Sequence, residues 1–168
     1  MSIATRFFLS PAVSGLQSFL VLGAAFGLCF SAAAFGAQFM PGEWYASLKK
    51  PSWNPPNWIF GPVWTALYTM MAVAAWLVWR RGGFAAQALP LAAFLVQLVI
   101  NALWSWLFFG LKNPGLAFVE IVALWTAIAA TLLLFRKPSP TAAWLLAPYL
   151  AWVTFAAVLS FTLWQLNA

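Results

Sequence analysis

The sequence predicts an all-α integral membrane protein, built as a bundle of five transmembrane helices. Two observations lead to this prediction. Hydrophobic residues make up 65% of the 168 residues and charged residues only 6%, whereas a soluble domain carries about 25% charged residues. In addition, the chain contains five apolar runs, each long enough to reach the roughly 20 residues that cross a bilayer. Backbone polar groups cannot face lipid unpaired, so we expect runs of this length to be helical.

The predicted spans fill most of the chain, and we treat residues 1–168 as a single five-span membrane domain. The spans lie at about Leu16–Phe39, Trp58–Trp79, Ala86–Gly110, Leu116–Phe135 and Ala142–Leu166. The breaks after the second span are short, and each combines a helix stop or turn residue with a basic residue. Because short connections join antiparallel neighbours, we expect a compact bundle.

The connection between the first two spans is rich in proline and tryptophan. Between Trp44 and Trp58 it contains Pro51, Pro55 and Pro56 together with several aromatic residues. Prolines remove N–H donors and restrict the residues before them, so the segment cannot be helical throughout. Its aromatic content is untypical of a flexible linker. We therefore predict a stiff loop that forms a lid over the helix bundle.

The charge balance favours contact with lipid rather than with nucleic acid. The net charge is +6, and the bases lie in short loops, where they meet anionic headgroups and set topology. On the N-terminal side we count Arg6, Arg80, Arg81, Arg136 and Lys137, and on the other side Lys49, Lys50 and Lys112. This asymmetry predicts a cytoplasmic N-terminus. We expect a multi-pass protein with this orientation.

The sequence contains no histidine, and Cys29 is its only cysteine. Histidine is the commonest general base and metal ligand. Zinc hydrolysis, histidine-based catalytic triads and histidine-ligated haem are therefore excluded, as is a disulfide within the chain. We predict no metal site and no required cofactor.

Aromatic and polar side chains recur at helical spacing in three of the predicted spans. The three sets are Trp64, Tyr68 and Met71; Gln97, Asn101, Trp104 and Phe108; and Tyr149, Trp152, Ala156 and Ser160. Residues three or four apart share a helix face, and polar side chains within a span usually face the bundle interior. Together the sets predict a cavity for a large, flat, apolar ligand with a few polar edges. The alternative is that Asn101 and Gln97 only hydrogen-bond a neighbouring helix.

Two further features leave alternatives open. Glu120 is the only acidic residue within a predicted span, and such a carboxyl group is a functional candidate. It lies near the start of its span, however, where it could reach headgroups or cap polar groups of another helix. Gly23 and Gly27 form a pair of small residues that permits close helix approach. That approach could serve packing within the bundle or dimerisation.

Longer motifs around these residues resemble the TspO/MBR family, also known as tryptophan-rich sensory proteins, translocator proteins or peripheral benzodiazepine receptors. The motifs are Trp44-Tyr45…Leu48-Lys49-Lys50-Pro51…Trp53-Asn54-Pro55-Pro56, Val63-Trp64-Thr65…Leu67-Tyr68, Gln97-Leu98…Asn101…Leu103-Trp104…Phe108-Phe109-Gly110 and Pro148-Tyr149…Trp152…Phe155-Ala156. They occur in the family's order, and the chain resembles the bacterial-type members. This resemblance implies a location in a bacterial cell membrane rather than in an outer membrane.

The resemblance implies a five-helix protein, usually a homodimer, that binds porphyrins, chiefly protoporphyrin IX. In animals the family also binds cholesterol and synthetic drugs. The resemblance further implies that Trp64 and Asn101 help to hold the ligand, that Trp152 lines the same pocket, and that Ala156 tunes sterol-related behaviour. Some bacterial members degrade protoporphyrin in light, using the tryptophans that match Trp64 and Trp152.

The sequence departs from the family at two places. Ser160 stands where the family usually has asparagine, so one polar contact of the implied pocket is altered. No lysine or arginine follows Tyr149, although the animal cholesterol motif needs a base within about five residues of its tyrosine. Sterol binding is therefore not supported by this motif.

We expect a membrane protein that binds a tetrapyrrole ligand and senses, sequesters or transports it, without a nucleic-acid partner. One alternative is a light-dependent, porphyrin-degrading enzyme that uses Trp64 and Trp152. Another is an interaction protein whose pocket holds lipid or sterol. The candidate ligand-binding residues are Trp44, Trp53, Trp64, Tyr68, Gln97, Asn101, Trp104, Phe108, Tyr149, Trp152 and Ala156.

Overall fold

The computed structural model describes residues 15–168, and within this range the chain forms helices and no strand. The helices, in chain order, are α1 (Gly15–Gly36), α2 (Glu43–Ser47), α3 (Phe60–Trp79), α4 (Gly83–Ala86), α5 (Ala88–Ser105), α6 (Pro114–Arg136) and α7 (Pro140–Asn167). A 3₁₀ turn at Asn57–Ile59 leads into α3, and a π-helical turn at Trp106–Gly110 extends α5. Five of these helices, α1, α3, α5 with its π turn, α6 and α7, are long and apolar enough to cross a membrane. The predicted five-helix bundle is confirmed, and the chain is an integral, multi-pass membrane protein.

Proline explains why two helices begin earlier than predicted. Pro114 and Pro140 lie in the first turn of α6 and α7, whereas the sequence placed both in the connections. A proline is tolerated in the first turn because N–H groups there have no partner within the helix. The side chain of Asn113 caps α6 by accepting a hydrogen bond from Leu116 N–H at 3.0 Å, and Ser139 caps α7 in the same way.

Two other helix ends depart from regular α-helix. α1 ends at Gly36, before the predicted end at Phe39. There the α-helical hydrogen bonding gives way to a tighter turn, in which Phe39 N–H bonds to Gly36 O, three residues back, at 3.1 Å. At the end of α5 the turn widens instead, and Leu111 N–H bonds to Trp106 O at 2.8 Å. A π turn adds one residue to the helical repeat and is frequent at functional sites. The strict α-helical spacing assumed for this span therefore fails in its last turn.

The five long helices form a ring. α1 packs against α3 and α5, α3 packs against α7, and α6 packs against both α5 and α7. The centre of the ring is filled by buried side chains of α3, α5, α6 and α7, whereas Cys29 is the only buried residue that α1 contributes. The first helix therefore leaves most of its apolar surface on the outside of the bundle.

Hydrogen bonds order residues 37–59, the α1–α3 loop. The hydroxyl of Tyr45, on the short helix α2, donates to Asn54 Oδ1 at 3.1 Å. Burial raises the pKa of Tyr45, so at neutral pH the hydroxyl keeps the proton that this bond needs. At the end of α7, Asn167 Oδ1 accepts from Lys49 N–H at 2.9 Å, and Asn167 Nδ2 donates to Lys49 O at 3.0 Å. The loop is thus fixed both to itself and to the last helix.

The connections place the basic residues at the two ends of the bundle. Arg80 and Arg81 follow α3, and Arg136 and Lys137 lie where α6 ends, at the end of the bundle where α1 begins. The opposite end carries Lys49, Lys50 and Lys112. Arg6, which also entered the predicted count, lies outside the described residues. The direction in which the bundle crosses the membrane stays a prediction.

Candidate ligand-binding cavity

A cavity of about 610 Å³ lies inside the helix ring, at the end covered by the α1–α3 loop. All five long helices contribute to its wall, and the loop contributes Ala37, Phe39, Met40, Pro41, Tyr45 and Asn57. Small-molecule sites typically enclose about 300–1,000 Å³ and are mostly apolar. Size and lining are therefore those of a site for one organic ligand.

Most of the predicted ligand-binding residues line this cavity. They are Trp64 and Tyr68 on α3, Asn101 and Trp104 on α5, Phe108 in the π turn, and Trp152 and Ala156 on α7. Ser160, the residue at which the chain departs from the family motif, also lies in the wall. The cavity thus brings together three tryptophans from three different helices.

Gln97 and Tyr149 lie outside the cavity wall, in a buried layer beside it. Tyr149 is fully buried, and its hydroxyl donates to Gln97 Oε1 at 3.1 Å. Both residues share a helix face with wall residues. Sequence spacing identifies such a face, but it does not tell which turns of the helix reach the cavity.

The two predicted loop tryptophans also lie outside the cavity wall. Trp44 packs behind it, with its ring centroid 5.7 Å from that of Phe108. Trp53 lies against Phe155 with ring centroids 5.9 Å apart, and its side chain is 45% exposed. The loop residues that do line the cavity, Tyr45 and Asn57 among them, were not among the predicted ligand-binding residues.

A buried polar group forms one side of the wall. The Tyr68 hydroxyl donates to Asn101 Oδ1 at 2.5 Å. Asn101 therefore connects α5 with α3. Because Asn101 also lines the cavity, both predicted roles stay open: it can hydrogen-bond a neighbouring helix, and it can contact the ligand.

Neighbouring rings hold the cavity tryptophans in place. The centroid of Trp64 lies 5.5 Å from that of Tyr68. Trp104 stacks on Phe108 with centroids 5.1 Å apart and ring planes 15° apart. Trp152 also packs against neighbouring phenylalanines. Such contacts fix the rings before a ligand arrives, so little side-chain entropy is lost on binding.

The sequence missed the contribution of α1 to the wall. Its residues there are Phe30, Ala33, Ala34 and Gly36. The available signal was the run of small residues near the end of this span, because small side chains let helices approach closely. A Cβ atom at Gly36 would lie 3.3 Å from Ser105 Oγ on α5, so glycine permits the close approach of α1 and α5 at the cavity.

The hydrogen-bonding groups of the wall are neutral amides and hydroxyls, since no charged side chain lines it among the described residues. In the same range no three His, Cys, Asp or Glu side chains could hold a metal ion together. The cavity can therefore stack a flat ligand on aromatic rings and offer hydrogen bonds at its edges.

Glu120 lies beside the cavity rather than in its wall. Both of its carboxyl oxygens are buried without a hydrogen-bond partner among the described residues, as are Trp104 Nε1 and Gln97 Nε2. Of the two structural alternatives that the sequence left open, contact with headgroups does not fit buried carboxyl oxygens, and capping of polar groups on another helix does not fit oxygens without a hydrogen-bond partner.

Comparison with known proteins agrees with this architecture. The sequence model of the TspO/MBR family matches residues 19–165, a range that includes every cavity residue named above. The translocator protein of Ovis aries is 46% identical over 137 residues, which cover 79% of this chain and 81% of the relative. The tryptophan-rich protein TspO of Chlorobaculum tepidum is 43% identical over 155 residues, or 90% of this chain and 98% of the relative. Protein CrtK of Rhodobacter capsulatus is 40% identical over 155 residues, or 90% and 95%. The chain therefore belongs to the TspO/MBR family.

Proposed function

We propose that the protein binds a porphyrin-type tetrapyrrole, such as protoporphyrin IX, inside the helix ring, and that it senses, sequesters or transports this ligand. The observation that carries the proposal is the convergence of Trp64, Trp104 and Trp152 on one cavity of about 610 Å³. A porphyrin offers two flat aromatic faces to such walls. Aromatic contacts of this kind contribute about 0.5–1.5 kcal/mol each beyond the burial of apolar area.

The same cavity favours a free-base porphyrin over haem. Haem iron is held by axial ligands such as histidine, cysteine, tyrosine or methionine. The sequence has no histidine, and Cys29 does not line the cavity. The hydroxyls of the two wall tyrosines, Tyr45 and Tyr68, donate to Asn54 and Asn101. Met40, at the loop end, is a weak ligand on its own. A free-base ring needs only aromatic walls and hydrogen-bond partners.

Titration of the purified protein with protoporphyrin IX in a neutral detergent tests the proposal. We expect saturable quenching of tryptophan emission with a Kd of about 1 μM or lower, which corresponds to about −8 kcal/mol. Trp144→Phe is a matched control, because that side chain is 77% exposed on the outside of the bundle. Quenching that never saturates, or haem binding clearly tighter than that of the free base, would overturn the proposal.

Light-dependent degradation of the bound porphyrin is a second candidate function. It is favoured by the presence of Trp64 and Trp152 in the same cavity wall. An excited porphyrin can take an electron from a neighbouring tryptophan and pass it to dioxygen, which becomes superoxide. The tryptophan radical cation would then regain an electron from the macrocycle, and the oxidised macrocycle would combine with superoxide, so that in the net reaction dioxygen oxidises the porphyrin and the tryptophan is restored. Illumination of the complex in air should produce a new, lower-energy absorption band. If the protein degrades the porphyrin through these tryptophans, the band should not form with Trp64→Phe or Trp152→Phe. It should still form with Trp144→Phe.

A lipid or sterol is the competing occupant of the cavity, because a mostly apolar wall would accept either. A competition experiment distinguishes a lipid or sterol ligand from a porphyrin. Cholesterol or phospholipid added in excess should displace protoporphyrin IX poorly if the aromatic walls select a flat ring. Complete displacement by lipid at comparable concentration would support the interaction-protein alternative instead.

We also propose that the protein is a homodimer that associates through α1. A Cβ atom at Gly23 or at Gly27 would meet no atom within 4 Å, so neither glycine serves packing within the described bundle. Small residues on an open helix face allow a second helix to approach closely. Gly23→Leu combined with Gly27→Leu should shift the detergent-solubilised protein from dimer to monomer in light scattering, with Val96→Leu on α5 as the control. An unchanged dimer would exclude this face.

A further inference from the structure

A second, smaller cavity of about 360 Å³ adjoins the ligand cavity at its loop end. The two cavities share Met40 and Phe109 as wall residues. The smaller one is polar, because Glu43 and Lys112 line it together with Trp44. A ligand whose apolar body fills the large cavity can therefore extend an edge into a charged chamber.

The two charged residues of this chamber do not neutralise each other by direct contact. Neither the Glu43 nor the Lys112 side chain has a hydrogen-bond or ion-pair partner among residues 15–168. Lys50, another lysine at this end, differs, since its Nζ donates to Ala46 O at 3.1 Å and to Leu48 O at 3.2 Å. The Lys112 ammonium is thus available to an incoming anion, whereas that of Lys50 is engaged by the loop.

The backbone holds Lys112 in a defined position. Its φ is 53°, the only positive φ of a non-glycine residue in the described range. On one side the π turn ends with Leu111 N–H bonded to Trp106 O, and on the other Asn113 N–H bonds to Leu107 O before Asn113 caps α6. The residue that carries the charge is therefore set by ordered structure on both sides.

We propose that Lys112 forms a carboxylate subsite, which binds an acidic group at the edge of the ligand while Glu43 opposes it. The inference rests on the proposed function. An ionised carboxylate cannot enter the uncharged large cavity, because burial of an unpaired charge is strongly unfavourable. Beside the exposed ammonium of Lys112 it gains a charge-assisted hydrogen bond. The ligand class is thus a flat apolar ring with carboxylates at one edge.

Protoporphyrin IX and its dimethyl ester test the subsite, because they share the ring and differ only in the two carboxylates. Affinities should be measured in a neutral detergent for the wild type, Lys112→Gln, Lys112→Arg and Glu43→Gln. Lys137→Gln, at the opposite end of the bundle, is the control. Lys112→Gln should weaken binding of the diacid about 5-fold, which corresponds to about 1 kcal/mol for an exposed ion pair. Binding of the diester should stay within about 2-fold.

Two further results should accompany this loss. Lys112→Arg should retain the preference for the diacid, and Glu43→Gln should strengthen diacid binding by about 2-fold because it removes a like charge. The diacid affinity of the wild type should also fall with salt, and that of Lys112→Gln should not. An equal loss for both ligands in Lys112→Gln, or no loss for either, overturns the subsite. If neither ligand binds the wild type, the proposed function fails and the subsite fails with it.

Discussion

The hydroxyl of Tyr68 on α3 donates a hydrogen bond of 2.5 Å to Asn101 Oδ1 on α5, in the wall of the cavity. Both side chains are nearly fully buried, with relative exposures of 6% each. The bond therefore joins two helices and at the same time presents an amide to the cavity. Its two partners allow the structural and the ligand-binding role of Asn101 to be separated.

Tyr68→Phe removes only the donor, whereas Asn101→Ala removes the whole amide. Both variants should lose stability, by about 1–3 kcal/mol for a buried polar group left without its partner. If the amide contacts the ligand, Asn101→Ala should in addition weaken porphyrin binding by about 1–3 kcal/mol. Thermal unfolding and affinity per folded molecule, measured on the same preparations, check this. Equal and small affinity changes in both variants would mean that Asn101 only links the helices and does not contact the ligand.

The rigidity of the α1–α3 loop should control ligand release. Replacing Pro55 and Pro56 with glycine enlarges the conformational freedom of the loop. Ligand dissociation should then accelerate more than association, because affinity changes at one site fall mostly on the off-rate. Stopped-flow fluorescence measures both rates. Pro138→Gly, in the connection at the other end of the bundle, should leave them unchanged. Dissociation at the wild-type rate in the loop variant would mean that the loop does not act as a lid.

Asn167 should determine how firmly this loop is held. Its side chain bonds to both backbone groups of Lys49 and also donates to Leu163 O at 2.8 Å. Asn167→Ala removes the link between α7 and the loop, so trypsin should cleave after Lys49 faster than in the wild type. Bound porphyrin should slow that cleavage. Gln165→Ala, an exposed change in the same last turn, serves as the control, and equal cleavage in all three proteins would contradict the proposed link.

The membrane-spanning helices could be predicted because they are identified by the apolar composition and the length of the segments that form them. Apolar runs of membrane-spanning length need no tertiary information, and only their ends depended on local chemistry, such as Pro114 and Pro140 in first turns. The cavity was predictable in part. Helical spacing identified Trp64, Asn101 and Trp152, since one face of each helix points inward.

The remaining site residues depend on how the helices are arranged around the ring. Spacing alone did not show that Gln97 and Tyr149 lie beside the cavity rather than in its wall. The π turn after α5 could not be predicted either, because it depends on a backbone hydrogen bond between Leu111 N–H and Trp106 O rather than on residue type. Most wall residues of α1 were missed because alanine and glycine carry no chemical signature, although they leave the space that a ligand needs.

The buried carboxyl group of Glu120 should oppose folding rather than support it. Its oxygens lack partners among the described residues, and an unpaired polar group in an apolar region is unfavourable. Glu120→Leu should therefore keep or raise the melting temperature, by about 2–4 °C for each kcal/mol gained. Glu43→Gln, on the exposed start of α2, should change it little. A clear fall in melting temperature for Glu120→Leu would indicate that the carboxyl group has a stabilising partner.

The most direct test of the central claim is to locate the bound porphyrin by the tryptophans it touches. Protein labelled with 5-fluorotryptophan gives a ¹⁹F resonance for each ring, and single Trp→Phe variants assign the resonances. Addition of protoporphyrin IX should shift those of Trp64, Trp104 and Trp152, because the ring current of a stacked macrocycle acts at short range. The resonance of Trp144, on the outside of the bundle, should stay in place. Shifts confined to outer tryptophans, with the three cavity resonances unchanged, would contradict a ligand site inside the helix ring.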